Sequence, residues 1–181
     1  MGSGPSTCAS MGPMDVDANP GGPSVEDLAM IARLASELAD GVDAALPRWV
    51  VGSVERVWRA QQGTAVPDEV RWAATDAGAA AAAETGGRVR ALLALDVDDQ
   101  TTNPLSVLRP AARYPTEVLR RFDVAPVRRD AESVRQFPDD PYDLTPMSFA
   151  DLDPDLHEPG LMWGAAKAHV HLARRRAEGR R

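Results

Sequence analysis

The stretch Ser24 to Val42, SVEDLAMIARLASELADGV, decides the fold class. Leu28, Ile31, Ala35, Leu38 and Val42 recur at alternating spacings of three and four, the period of one helix face. Arg33, Glu37 and Asp40 fall off that stripe. Ser24 offers a hydroxyl to the first free amides, and Glu26 and Asp27 complement the positive end of the helix dipole. An amphipathic helix therefore starts here.

Working outward, Pro47 is expected to interrupt or kink this helix, or to open the next one, where its missing amide costs nothing. That next helix would bury Val50, Val54, Val57 and Trp58 and end near Gly63. Pro67-Asp68-Glu69 repeats the start signal. The segment from Val70 to Glu84 is alanine-rich, and alanine favours helix while offering little area, so this helix must lie close against a neighbour. Trp72 is expected to be its one large anchor, and Gly86-Gly87 to break or cap it before Val89, Leu92 and Leu93. Asp96 to Leu105 reads as a loop delivering a cap, with Thr102 or Asn103 as N-cap and Pro104 as the first helical residue. Pro110 and Pro115 fragment the path, and Thr116-Glu117-Val118-Leu119 restarts a short helix ending near Phe122.

Between Val124 and Pro159 the character changes. Pro126, Pro138, Pro141, Pro146, Pro154 and Pro159 are scattered among aspartates. Phe137, Tyr142, Leu144, Phe149, Leu152 and Leu156 nevertheless supply apolar area, which points to an ordered, mostly irregular strap with a helical turn near Ser148–Leu152. Glu158-Pro159-Gly160 then opens a last helix carrying Leu161, Trp163, Ala166 and Val170, with Arg174, Arg175 and Arg176 complementing its C-terminal end. No segment alternates as a strand does, and no hairpin turn signal appears. The expectation is an all-α domain of about five or six helices, residues 24–176, with an ordered Asp/Pro-rich irregular strap before the last helix. Residues 1–23, rich in Gly and Pro, are expected to be a disordered tail, and 177–181 a flexible basic end.

Composition narrows the function classes. The chain has 181 residues, 44% of them hydrophobic, but alanine makes up much of that share. Val, Ile, Leu and Phe form only about a fifth of the chain, so the core is thin and four Trp must supply much of its bulk. No apolar run approaches the roughly 20 residues of a membrane helix. The N-terminus has neither a basic start nor an apolar stretch, so no ordinary signal peptide is expected. The formal net charge of −7 argues against non-specific nucleic-acid binding by the whole domain. Cys8 is the single cysteine and has no basic neighbour to activate it.

Few constellations carry chemistry. His169 and His171 stand two apart and point about 200° from each other on a helix, which is the wrong spacing for chelation, and His157 is remote from both. Asp151, Asp153 and Asp155 imitate the opening of a calcium loop. The imitation ends there, because Leu156 replaces the turn glycine and Met162 the bidentate glutamate. Asp96, Asp98 and Asp99 form a second acidic cluster, and Asp139, Asp140 and Asp143 a third; capping and solvation account for such residues more often than metal does. No phosphate loop, nucleophile elbow or CxxC motif is present. Tyr114, Thr116 and Glu117 suggest acid/base chemistry, but Thr116 and Glu117 already have a sufficient role as helix-start residues. No catalytic, cofactor or metal residue is therefore expected.

DVDDQTTNPLSVLR (Asp96 to Arg109), YPTEVL (Tyr114 to Leu119), FPDDPYDLTPMSFADLDP (Phe137 to Pro154) and EPGLMWGAAKAHV (Glu158 to Val170) together give the chain its one resemblance. From Val25 to Leu172 it resembles a family of small uncharacterised actinobacterial proteins. The resemblance implies an ordered segment from Val124 to Pro159 and brings no site residue with it. The leading expectation is a cytoplasmic protein-interaction or regulatory module, with Phe137, Tyr142 and Phe149 as candidate partner contacts. An enzyme or binder of small molecules or metal, with its pocket assembled from the acidic clusters, is the second class. A nucleic-acid-associated factor using the C-terminal arginines is the third. An exposed apolar groove favours the first, and a deep polar cavity lined by Asp98, Asp99 or Asp143 the second.

Overall fold

The computed structural model describes residues 22–94, 103 and 105–179. Among them there are six α-helical segments and no strand: α1 (Val25–Gln62), α2 (Asp68–Leu93), α3 (Leu105–Leu108), α4 (Arg113–Arg121), α5 (Ala131–Gln136) and α6 (His157–Glu178). The four-residue α3 is a single turn that runs through a 3₁₀ turn, Arg109–Ala112, into α4. The expected all-α domain with an irregular Pro-rich strap before its last helix is what forms. The expected disordered tail lies almost wholly outside the described residues, as do Cys8, Asp96, Asp98, Asp99, Thr102, Pro104, Arg180 and Arg181.

The start of α1 is as its sequence dictates. Ser24 Oγ accepts from the Asp27 amide at 3.0 Å while the Asp27 carboxylate accepts from the Ser24 amide at 3.0 Å, a reciprocal box. The helix does not stop at Pro47: it spans 38 residues, Val25–Gln62, and Gly63, with a φ of 63°, closes it in the left-handed region. The reason lies in α2, which runs antiparallel alongside. A Cβ on Gly78 would stand 2.8 Å from the Pro47 carbonyl oxygen and 2.9 Å from its Cα. The two backbones touch there, so tertiary packing holds the helix across the missing hydrogen bond.

Two expectations for α2 are corrected. Gly86-Gly87 neither breaks nor caps the helix, which runs on to Leu93. Gly86 is buried against the Asp43 side chain, where any Cβ would collide. Trp72 is not the anchor: it is 69% exposed. Val70, Ala74, Gly78, Ala81, Thr85 and Val89 form the buried face instead, and their small size lets the axes approach closely. On the outside of the pair, Arg71 meets Glu55, and Arg90 meets Asp40 and Asp43.

α6 packs antiparallel on the N-terminal half of α1, with Ile31, Val170 and Ala166 in contact. Trp163 and Val170 are buried as expected, whereas Leu161 is 62% exposed. Leu28, at the edge of the α1 stripe, is also partly in solvent. α4 lies across α1 and α2, burying Val118 and Leu119. The strap then crosses between α4 and α6, contributing Val124, Tyr142, Leu144, Leu152 and Leu156 to the core.

Candidate functional site

The strap is mostly irregular, yet its position is set by polar side chains turned onto its own backbone. Asp140 is buried, and its carboxylate accepts from the amides of Tyr142 (3.2 Å), Leu144 (2.7 Å) and Thr145 (2.6 Å) and from Thr145 Oγ1 (2.7 Å). Arg129, with its side chain 6% exposed, donates to the carbonyls of Phe137 (2.9 Å) and Ser133 (2.6 Å). Tyr142 Oη donates to the Val124 carbonyl at 2.7 Å, and burial pushes its phenol above the ordinary range. Asp130 caps α5, Asp151 accepts from the Met147 and Ser148 amides, and Asp153 accepts from the Asp155 amide and from Arg48. These carboxylates hold turns. Among the described residues no group of three or more His, Cys, Asp or Glu is placed to hold a metal ion.

Between this strap and α4 lies an open cleft of about 520 Å³. Its helical wall is a single stripe: Arg109, Arg113, Thr116, Glu117 and Arg120, at spacings of four, three, one and three. Its strap wall is Gln136, Phe137, Pro138, Asp139, Asp140 and Thr145. The Arg109 guanidinium lies 5.6 Å from the Phe137 ring centre, an arrangement that fixes a flexible side chain without consuming its hydrogen-bond donors.

The three arginines are not equivalent. Arg113 bonds the Glu84 carboxylate and, at 3.1 Å, Tyr114 Oη; Tyr114 Oη also donates to Glu84. This latch ties α2 to α4. The Tyr114 hydroxyl and then Arg113 hold the Glu84 carboxyl below its ordinary range, while burial raises the Tyr114 phenol. Arg109 and Arg120 are exposed and take part in no ion pair among the described residues. The Asp140 carboxylate, on the opposite wall, is already engaged by its four donors. Glu117 and Asp139, both exposed, are the acids left on the rim.

The candidate partner contacts separate in space. Phe137 is half-buried and lines the cleft. Tyr142 is a core residue, and Phe149 is half-buried against the core and Gly160. Tyr114 and Thr116, adjacent to the cleft, are buried. The one sequence signal for the arginine stripe is the 4-3-4 spacing of Arg109, Arg113, Thr116 and Arg120, which puts them on one helix face. A second surface feature, a mostly apolar groove of about 420 Å³, runs between α1 and α6 past Met30, Leu34, Met162 and Ala165.

The molecule is thus an all-α domain with an open surface cleft, walled by arginines on one side and by the ordered strap on the other. No protein-family profile, curated protein or solved structure matches the chain. No described helix is long and apolar enough to cross a membrane.

Proposed function

We propose that this chain is a protein-interaction module whose α4–strap cleft receives an acidic, extended segment of a partner protein. The observation that carries the reading is the pair Arg109 and Arg120, both exposed on the cleft wall and both without a carboxylate partner among the described residues. Arginine forks recognise carboxylates in fixed geometry, and Arg and aromatic side chains dominate the energetics of interfaces. The two stand eleven positions apart on a nearly continuous helical path, roughly 16 Å at 1.5 Å per residue. An extended peptide covers that span with about five residues. Glu117 and Asp139 repel a continuous acidic run, so the fit is to two separated acids around an apolar residue set over Phe137. A cytoplasmic place of action, and the actinobacterial kinship suggested by residues 96–170, belong to the same reading.

The test is fluorescence anisotropy with a labelled peptide carrying two acids about five residues apart around a central leucine. Saturable binding that weakens at least ~10-fold in Arg109→Ala/Arg120→Ala and falls with added salt is the expected result. Equal binding by the variant, or tighter binding of an RNA or DNA oligonucleotide in the same cleft, overturns the reading.

A further inference from the structure

α6 buries one face against α1 and leaves another in water, and the exposed face is apolar at a regular spacing. Leu161 (62% exposed), Ala165, Ala168 and Leu172 (53% exposed) follow one another at intervals of four, three and four. That is the spacing of a helix seam. The same face continues one step outward at each end, to Glu158 at the N-terminal side and Arg175 at the C-terminal side, both exposed. At about 100° per residue all six positions fall within an arc of roughly 100°. Neither Glu158 nor Arg175 joins an ion pair among the described residues.

The order along the seam reads Glu, Leu, Ala, Ala, Leu, Arg, flanked at its ends by exposed His157 and Arg176; it is symmetric in size about its centre, acidic at Glu158 and basic at Arg175 and Arg176. We infer that the occupant of this face is α6 of a second copy of the chain, lying antiparallel. In that register Glu158 faces the partner's Arg175 at both ends, Leu161 faces the partner's Leu172, and Ala165 faces the partner's Ala168. A parallel pairing would set Glu158 against Glu158 and Arg175 against Arg175. Antiparallel helix dipoles add a small attraction. The small residues at the centre, with Gly164 open beside them, let the axes approach to about 8 Å. The groove beside the seam, with Met162 50% exposed, gives the second copy further apolar surface to cover. No residue of the α4 cleft lies on this face, so the second copy and the acidic partner proposed for the cleft occupy separate surfaces.

The experiment is sedimentation velocity on the full chain from about 1 µM to about 500 µM. The parent is expected to approach twice its 19.4 kDa mass as concentration rises. Glu158→Arg and Arg175→Glu, each alone, place like charges at both ends and are expected to weaken association at least ~10-fold. Mixed in equal amounts they pair two complementary ends, and the dimer mass is expected to return. Because both variants must be folded to recover, that mixture separates lost contact from lost fold. A parent that stays monomeric at the top concentration overturns the inference. So does a dimer indifferent to Leu161→Glu, or a charge-variant mixture that remains monomeric.

Discussion

The α1–α2 hairpin and the strap are held in place by opposite means. The hairpin is periodic and nearly free of buried charge. Its stability comes from small residues that let two helices touch, down to backbone contact at Pro47 and Gly78. The strap is aperiodic and interrupted by prolines, and it is positioned by a buried carboxylate, Asp140, and a buried guanidinium, Arg129, each gathering backbone groups. A chain that cannot pair its backbone in a helix must satisfy it through side chains, and charged groups form the stronger of such bonds. The strap's charges therefore hold structure, while Arg109 and Arg120 on the facing wall stand exposed.

The sharpest way to break the comparison is Gly78→Val. No side chain can give way there, because the obstacle is the backbone of Pro47, so the cost is expected to exceed about 3 kcal/mol and to separate α1 from α2. Loss of the melting transition, or of helix content by circular dichroism, checks it; a melting curve that overlays the parent would sink the packing account. On the strap side, Asp140→Ala leaves the Leu144 and Thr145 amides without their acceptor, at an expected cost of about 2–3 kcal/mol in chemical denaturation. Hydrogen exchange should rise first between Tyr142 and Phe149 while the hairpin stays protected. Uniform loss across both regions would show that they are one cooperative unit.

The smallest effect tests the latch that ties the hairpin, through α2, to α4, the helix the strap faces. The folded-state pKa of Glu84 is lowered, chiefly by the Tyr114 hydroxyl and then by Arg113. Its contribution is therefore fully present above its unfolded pKa, near pH 4, and is lost as pH falls through the lower folded value. Glu84→Gln should lower the melting temperature slightly at neutral pH and flatten its decline on the acid side. A parent and variant with parallel acid limbs would mean that the latch contributes nothing to stability, as for most exposed ion pairs.

Much of this was legible in particular residues. Ser24 with Asp27, Asn103 and Gly63 mark helix ends through local chemistry, and each acts as its type requires: Asn103 Oδ1 accepts from the Leu105 amide at 2.9 Å. The order of the strap was legible because Tyr142, Leu144, Leu152 and Leu156 are too apolar to leave in water. The cleft was not, since it joins Arg109 to Phe137 across 28 positions of chain, a distance over which no periodicity runs.

Local chemistry along the chain by itself determined the all-α class, the capped starts and the order of the Pro-rich strap, because caps and hydrophobic period act within one or two turns. Tertiary structure alone decided that Pro47 sits inside a continuous helix, that Gly78 and Gly86 are contacts rather than breaks, and that Trp72 and Leu161 face water. Those outcomes depend on which backbone lies opposite, and a residue cannot know its neighbour until the helices have packed.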